Sequence, residues 1–272
     1  GTASQRGSAR IVDRFGFYGV DELAEDEKQH KALEVLREAK WVEMMAKWSK
    51  FERRAKLKQR CLKGIPDSFR TVVWPKLTNV GAYKQNSKVS FDELVARTDE
   101  TPVLDVIQRD LHRTFPDHLQ FRSDAGRASL FRVLKAFSFF YPQIGYCQGM
   151  GFVTAMFLMY CVQEEDAFWM LVAMVDRYNM GPLWDENLTD VPKMCFVHSR
   201  LLEKFCPKIF AHLEAQMIPS ALYAPSFYIT GYTYILPWRC VLRVWDAFLC
   251  YGMEVFHAVG IALLDMYEAE IL

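Results

Sequence analysis

The sequence predicts an all-α protein, and three observations lead to that prediction. Apolar residues recur at three- and four-residue spacing in most segments of the 272-residue chain, as they do on one face of a helix. Helix start and stop signals, such as serine or threonine caps and prolines, fall between these segments. Alternation of apolar and polar residues over strand-like lengths is absent from the sequence.

The composition is that of a globular protein without a global charge bias. Hydrophobic residues make up 51% and charged residues 24% of the chain, and the formal net charge is zero. Because nucleic-acid-binding proteins usually carry excess positive charge, we expect no nucleic-acid partner. The seven cysteines show no CxxC spacing, which argues against a zinc site and favours free thiols in a reducing, intracellular compartment. We therefore expect no bound metal.

The N-terminal part of the chain is predicted to hold a lead-in and a helical extension. Residues 1–24 begin with small and polar side chains and are expected to be mostly disordered or extended. Residues 25–62 are predicted to be helical, because apolar residues such as Leu36 and Met44 recur at helical spacing. The segment Lys47–Lys63 holds eight basic residues and one acidic residue. A solvated helix face explains this segment most simply, and a lipid- or phosphate-facing patch is the alternative.

Turn and cap signals divide the middle of the chain. The sequence "KGIP" ends the helical extension and opens the next helix. The polar residues 79–90 are predicted to form a loop, and Ser90 at its end caps a short helix. A Thr-Pro pair at residues 101–102 begins a further helix, which we expect to run to about Phe115, just before a proline.

Helical patterns continue toward the C-terminus, over residues 126–141, 152–162, 165–178, 194–205 and 208–216 and from residue 223 onward. The long polar segment 181–192 interrupts these patterns, and we expect it to be a hinge. The chain would then divide into an N-terminal subdomain that reaches about residue 180 and a C-terminal subdomain over residues 181–272.

The segment "TPVLDVIQRDLHRTF" carries the first candidate site residues. On a helix, Ile107 falls on the apolar face, whereas Asp110 and Arg113 are surface neighbours because they are three residues apart. An ordinary ion pair, worth roughly 0.3–0.5 kcal/mol, explains Asp110 and Arg113 on their own. The alternative is an arginine that a carboxylate orients toward an anionic group of a partner.

The segment "IGYCQGMGF", residues 144–152, places an amide on a glycine-rich turn. Glycines let the backbone turn sharply and approach another surface closely. The Gln148 amide carries both an acceptor and a donor, so that it can position a water molecule beside a phosphate oxygen. A buried glutamine that caps a helix end is the alternative. Cys147 is not expected to be a nucleophile, because no histidine motif supports it.

Four short motifs follow one another along the chain. Their residues are Gly64, Pro66, Arg70 and Trp74 of a G-I-P…R…W opening, Ile107, Asp110 and Arg113 of I-x-x-D-x-x-R, Tyr146, Gln148, Gly149 and Met150 of Y-x-Q-G-M, and Trp245 and Asp246 of an R-x-W-D segment. In this order and spacing, the motifs resemble the TBC domain, the GTPase-activating domain for Rab-type small GTPases. No P-loop motif occurs, so the chain does not look like a nucleotide hydrolase itself.

The resemblance implies a TBC fold over residues 63–272, with two packed helical subdomains that form a V-shaped molecule. It implies that the chain is not itself an enzyme but activates a GTP-bound Rab-family GTPase that regulates membrane trafficking. Arg113 would be the arginine finger and Gln148 the glutamine finger, both supplied in trans. GTP and Mg²⁺ would belong to the partner, so that this chain needs no cofactor.

The same resemblance gives the other motif residues supporting roles. Asp110 would fix Arg113 by hydrogen bonding, and Ile107 would anchor the helix in the core. The loop under Gln148 would be shaped by Tyr146, Gly149 and Met150.

A catalytically silent TBC-fold binding module is the alternative function, although the presence of both finger residues favours activity. We expect a cytoplasmic monomer that associates peripherally with endomembranes. Residues 226–233, "SFYITGYT", depart from the W-F-L-T-L-F run usual in the family. The resemblance therefore does not predict how these residues pack.

Overall fold

The computed structural model describes residues 12–19, 24–51 and 55–272, with side chains described from residue 32 onward in the second range. Within these ranges every regular element is a helix, and extended pairing is limited to two isolated bridges. The predicted all-α fold is therefore confirmed. None of the helices in these ranges combines the length and the hydropathy that a membrane-spanning segment needs.

The α-helices are joined by short connections and are numbered in chain order: α1 Ala24–Ala46, α2 Trp48–Phe51, α3 Ala55–Lys63, α4 Asp67–Leu77, α5 Val80–Asn86, α6 Phe91–Ala96, α7 Pro102–Leu111, α8 Leu119–Arg122, α9 Asp124–Phe140, α10 Met150–Tyr160, α11 Glu164–Asp176, α12 Gly181–Trp184, α13 Val191–Phe205, α14 Pro207–Ala215, α15 Pro225–Ile229, α16 Trp238–Tyr251, α17 Glu254–Met266 and α18 Glu268–Ile271.

One large hydrophobic core extends through most of the described chain. It contains buried side chains on both sides of residue 180, from Trp41 in α1 to Phe256 in α17. A smaller cluster lies where α13 meets α14 and consists of Leu202, Cys206 and Ile209. The main core thus contains side chains from both predicted subdomains. The subdomain boundary near residue 180, the domain division and the V shape stay predictions.

The helix predicted over residues 25–62 is interrupted in the structure. The described residues form α1, α2 and α3, and α1 is separated from α2 at Lys47. Trp41 of α1 and Leu57 of α3 are buried in the main core, and α3 packs against α16. The helical extension is therefore attached to the rest of the fold through its apolar face. Residues 52–54 of the predicted basic segment lie outside the described residues.

The described part of the lead-in is a tight loop docked on the turn that follows α7. The Tyr18 N–H donates to the Asp117 carbonyl at 2.9 Å, and the Leu119 N–H donates to the Gly16 carbonyl at 2.8 Å. His118 Nε2 lies 2.8 Å from the Phe15 carbonyl oxygen. These bonds hold residues 12–19 beside the turn, whereas residues 1–11 and 20–23 of the predicted lead-in lie outside the described residues.

Two helix boundaries differ from the sequence predictions. Residues 79–90, predicted to form a loop, contain α5, because Val80 is buried and the Tyr83 ring stacks on Trp169 with ring centroids 5.8 Å apart. The mostly polar composition of residues 79–90 gave no indication of this apolar face. The following helix, α6, has the predicted Ser90 cap, whose side chain accepts from the Glu93 N–H at 3.2 Å. Helix α7 ends at Leu111 and not near residue 115, so that the next four residues form a turn.

The polar connection predicted over residues 181–192 begins with a buried helical turn. Leu183 and Trp184 of α12 are fully buried, and Trp184 Nε1 donates to the Ile229 carbonyl at 2.9 Å. The prediction of a solvated hinge is therefore wrong for residues 181–184, since this turn is anchored in the main core. Only the residues from 185 to 190 connect α12 to α13 without helical structure.

A buried carboxylate joins the beginning of the predicted TBC region to its last third. Asp246 of α16 accepts hydrogen bonds from the Ile65 N–H at 2.8 Å, from Trp74 Nε1 at 2.9 Å and from Arg70 Nε and Nη2 at 3.1 and 3.0 Å. Burial raises the pKa of the Asp246 carboxyl, and the Arg70 charge opposes that rise. Burial alone would lower the pKa of Arg70, but Asp246 outweighs it and the net pKa is raised. The two groups therefore form a charged pair that fixes α4 against α16.

The other residues of the two flanking motifs surround this pair. Gly64 has a φ of +100°, and a Cβ atom there would lie 2.6 Å from Arg243 Nε. Pro66 is the extended residue that precedes α4. Trp245 is fully buried. The G-I-P…R…W and R-x-W-D motifs therefore describe one structural contact.

The unusual segment 226–233 is well packed. Phe227 stacks on Tyr232 with ring centroids 5.1 Å apart, and the Tyr232 hydroxyl donates to the Phe256 carbonyl at 2.6 Å. Gly231 has a φ of +54°, and a Cβ atom there would lie 2.5 Å from Cζ2 of Trp245. The glycine that interrupts the usual family pattern is therefore needed here, because the tryptophan ring fills the space of a side chain.

Candidate functional site

Arg113 and Gln148 line the same open groove, which has a volume of about 990 Å³. The groove is bounded by the turn after α7, by the turn before α10 and by the segment around α15. Other lining residues are Phe17, Asp110, His112, Phe115, Pro116, Asp117, Cys147, Gly149, Phe152, Leu188, Ser226, Ile229, Thr230, Thr233 and Tyr234. The structure thus brings together two side chains that lie 35 positions apart in the sequence.

Arg113 lies on the turn that follows α7 and not on the helix itself. Its backbone N–H donates to the Asp110 carbonyl at 3.1 Å, which holds the turn in place. Its guanidinium Nη2 donates to Asp110 Oδ1. The arginine side chain is 61% exposed, whereas the aspartate side chain is only 7% exposed. A largely buried carboxylate therefore orients an arginine that faces solvent.

The second oxygen of Asp110 is also bonded. The Tyr146 hydroxyl, which comes from the turn before α10, donates to Asp110 Oδ2. Burial raises the pKa of the Tyr146 phenol, and the Asp110 carboxylate raises it further, so that the phenol remains a donor at neutral pH. Asp110 is consequently held by two hydrogen bonds, one from the Tyr146 hydroxyl and one from the Arg113 guanidinium.

Gln148 is exposed at the tip of a turn that two left-handed glycines shape. Gly145 has a φ of +63° and Gly149 a φ of +110°, conformations that L side chains rarely adopt. A Cβ atom on Gly149 would lie 3.0 Å from Cγ2 of Ile229, so the turn packs directly on α15. Because Gln148 is exposed, the alternative of a buried helix-capping glutamine is wrong.

Buried residues support both turns from below. Ile107 and Met150 are fully buried, and the Cys147 N–H points at Met150 Sδ at 3.2 Å. A Cβ atom on Gly151 would lie 2.8 Å from Thr114 Oγ1. The N-terminus of α10 is thus packed against the turn that carries Arg113. This contact fixes that turn relative to the turn that carries Gln148.

Neither thiol chemistry nor a metal centre is supported at this groove. Burial raises the pKa of the Cys147 thiol to about 11, with smaller contributions from Asp110 and Asp185, so that the thiol is protonated at neutral pH. Among the residues that the structure describes, no group of histidine, cysteine, aspartate and glutamate side chains could hold a metal ion.

Several groove residues were missed by reasoning from the sequence. Phe17 comes from the lead-in, Leu188 from the connection after α12, and Tyr234 from the segment after α15. Tyr234 is 69% exposed and packs edge-on against Phe152 with ring centroids 5.2 Å apart. Phe17 falls in the aromatic segment "DRFGFYG", residues 13–19, whereas the other two residues stand in no motif and reach the groove through tertiary packing.

Comparisons with known proteins show the family of the chain. The family model of the RabGAP-TBC domain, described as the Rab-GTPase-TBC domain, matches residues 67–272. The mouse protein TBC1 domain family member 10A is 38% identical over 261 residues, which are 94% of this chain and 52% of that protein. Drosophila TBC1 domain family member whacked is 33% identical over 93% of this chain and 70% of its own length.

Two solved structures show the same fold. The crystal structure of the Chlamydomonas flagellar RabGAP TBC domain has a TM-score of 0.83 and 26% identity, over 96% of this chain and 88% of that chain. The Ypt/Rab-GAP domain of Gyp1p has a TM-score of 0.68 and 16% identity, over 85% of this chain and 87% of that chain.

The fold and the matched motifs define a TBC-type helical domain. The chain belongs to the Rab-GTPase-TBC domain family, since the family model matches most of its length. It spans about half the length of the mouse relative, 52%, and less of the human TBC1 domain family member 10B, 32%.

Proposed function

We propose that this chain accelerates GTP hydrolysis by a GTP-bound Rab-type GTPase, to which it supplies Arg113 and Gln148 in trans. The observation that carries the proposal is that both side chains are exposed in one groove while the residues beneath them are buried or hydrogen-bonded. Such a groove presents two polar groups at fixed positions to a second protein. The RabGAP family membership supports the same reading.

The arginine would stabilise the negative charge that spreads over the transferring phosphoryl group. A guanidinium is always charged and offers five N–H donors in a planar fork. Asp110 occupies the Nη2 side of the fork, and the exposed remainder of the Arg113 side chain faces the groove. The carboxylate therefore orients the fork and leaves donors for phosphate oxygens.

The glutamine would position the attacking water. Its carbonyl oxygen can accept from the water while its NH₂ group donates to a phosphate oxygen. The close packing of Gly149 on Ile229 supports the turn, and the Gln148 amide lines the same groove as the arginine. Pre-positioned groups of this kind lower the barrier because little reorganisation remains during the reaction.

GTP and Mg²⁺ belong to the partner in this proposal, and the chain acts as an activator without a cofactor of its own. We place it in the cytoplasm, as a monomer that associates with endomembranes during membrane trafficking and that has no nucleic-acid partner. A catalytically silent module that only binds GTPases would use the same groove.

Single-turnover GTP hydrolysis separates these two functions. The purified chain is added to a panel of Rab proteins preloaded with GTP, and phosphate release is followed for each. We expect strong acceleration for at least one member of the panel. Measurable binding to a Rab with no acceleration for any of them would support the silent module instead.

A further inference from the structure

A second cavity, of about 410 Å³, lies between α1 and α3 and is strongly basic. Five of its lining side chains are cationic and none is acidic. The cations are Arg37 and Lys40 of α1 and Lys56, Arg60 and Lys63 of α3. We call this cavity the basic cleft.

Helix geometry explains why these five charges meet. Arg37 and Lys40 are one turn apart on α1, and the three α3 cations are also spaced three or four residues apart, so that each set shares a face. Leu57 and Cys61, about 120° around α3 from its basic face, are buried in the core. Their burial leaves the basic face outside the core, where it lines the cavity together with the cations of α1.

The basic cleft lacks the counter-charges that surface cations usually have. None of the five forms an ion pair with another residue in the described ranges. Arg60 donates to the Lys40 carbonyl, which ties the two helices together at the cleft without neutralising either charge. Among the described residues the five cations thus line one cavity without an acidic partner, and Lys56 Nζ lies 5.5 Å from the centroid of the Phe51 ring.

A sixth cation lies beside Gly64, a lining residue of the basic cleft. Arg243 of α16 donates through Nη2 to the Leu62 carbonyl at 2.7 Å, and Gly64, which lines the cleft, would carry its Cβ atom against Arg243 Nε. Burial lowers the pKa of Arg243; Asp246 opposes that change and the Arg37 charge adds to it. The contacts of Arg243 with Leu62 and Gly64 therefore place an additional positive charge next to the cleft.

Two leucines form an apolar rim. Leu33 and Leu36 line the same cavity and are 50% and 66% exposed. A basic pocket beside exposed leucines matches the mixed character of a membrane surface, where phosphate groups adjoin the ends of acyl chains. A freely soluble phosphate compound would not need this rim.

From this arrangement we infer that the basic cleft binds a multiply phosphorylated head group, and that the leucine rim directs the cleft to a lipid that carries it. Clustered phosphates would be held by several cations at once, as polybasic surfaces hold anionic lipids. The inference rests on the cleft alone and does not require the proposed GTPase activation.

Vesicle flotation tests the inference directly. The chain is mixed with phosphatidylcholine vesicles, either plain, with a phosphoinositide, or with phosphatidylserine at the same total charge. We expect it to float with the phosphoinositide vesicles and much less with the other two. The triple variant Arg37→Gln, Lys56→Gln, Lys63→Gln should bind them roughly a hundredfold more weakly, because each surface cation contributes about a factor of five.

A matched control removes three exposed cations from α13, through Lys193→Gln, Arg200→Gln and Lys204→Gln. This control should bind the vesicles like the parent chain, and thermal melting should show both variants folded. Equal loss in both variants, or unchanged binding of the cleft variant, would overturn the inference.

Soluble inositol hexakisphosphate distinguishes the two sources of phosphate. It should compete with the vesicles, and the variant Leu33→Ser, Leu36→Ser should bind the vesicles more weakly than the parent while it binds the soluble compound equally well. Equal vesicle binding by this variant would contradict the role of the rim and leave a site for soluble polyphosphates. Failure of the compound to bind the parent chain would overturn the phosphate site itself.

Discussion

Asp110 and Arg113 are bonded to each other across the end of α7, and both line the groove, but only the arginine is largely exposed there. The carboxylate is almost fully buried and the guanidinium largely exposed. An exposed ion pair usually contributes little to stability. Here the pair determines an orientation, because the buried Asp110 carboxylate fixes the direction of the exposed Arg113 guanidinium.

The Tyr146 hydroxyl is predicted to matter for activity through Asp110. Tyr146→Phe removes the donor to Asp110 Oδ2, so that the carboxylate holds Arg113 less firmly. We expect GTPase stimulation to fall by roughly tenfold to a hundredfold, a typical effect of imprecise positioning. Phosphate release under single-turnover conditions measures this loss.

A matched tyrosine outside the groove serves as the control. The Tyr160 hydroxyl donates to Asp67 Oδ1 at 2.9 Å, so Tyr160→Phe removes a comparable bond. This variant should keep full stimulation of the GTPase. If the two phenylalanine variants were equally active, Tyr146 would have no positioning role.

The buried Asp246 is predicted to be critical for stability. Asp246→Asn removes the buried carboxylate that pairs with Arg70 and leaves only the partly exposed Asp67 opposite its charge, and breaking a buried pair costs about 3–5 kcal/mol. Urea denaturation should show a much lower midpoint. Asp124→Asn, which removes a fully exposed partner of Arg127, should leave the midpoint almost unchanged.

Gly231 is predicted to tolerate no side chain. Gly231→Ala forces a Cβ atom against the Trp245 ring at a positive φ, and we expect a loss of roughly 1–3 kcal/mol in the free energy of unfolding. Gly81→Ala in α5 meets no atom within 4 Å and should be neutral or stabilising by up to about 1 kcal/mol. Similar unfolding free energies for both variants would show that the Trp245 contact is not restrictive.

Acidic pH is predicted to destabilise the chain through His198. Burial lowers the pKa of this histidine from its ordinary 6.5 to about 4, and the nearby His257 adds to the effect. Between these values the unfolded chain binds a proton that the folded chain does not, so stability falls as the pH falls. The free energy of unfolding should drop by about 2 kcal/mol from near pH 7 to near pH 5 on account of this group.

Urea denaturation at several pH values measures this dependence. His198→Phe removes the group, and the slope between about pH 6.5 and pH 4 should become shallower. His257, whose pKa burial also lowers, remains and should preserve part of the slope. An unchanged slope in the variant would rule out His198 as the source.

Much of the helical pattern could be predicted from the sequence because apolar periodicity and caps act locally. Ser90 illustrates this, since its cap depends on residues within one turn. The α5 helix and the buried turn at Trp184 could not be predicted, because their apolar residues are few and gain their partners through tertiary packing.

The candidate site, too, could be predicted only in part from the sequence. The motif spacing singled out Arg113 and Gln148 as candidates, but it could not show that Asp110 is bonded from two sides or that Tyr234 lines the same groove. The basic side chains of α3 were visible as a charge run, whereas their convergence with Arg37 and Lys40 depends on how α1 packs. Contacts between distant segments, and not local preferences, determine these features.

The central claim is tested most directly by single-turnover GTP hydrolysis with Arg113→Ala, Arg113→Lys and Gln148→Ala on a responsive Rab. Each variant should melt like the parent, because both side chains are exposed. The account predicts that Arg113→Ala loses about 10³- to 10⁵-fold of the stimulation, that lysine fails to restore it because it lacks the planar fork, and that Gln148→Ala is nearly as impaired. Stimulation equal to that of the parent chain, in either alanine variant, would contradict the assignment of these two residues.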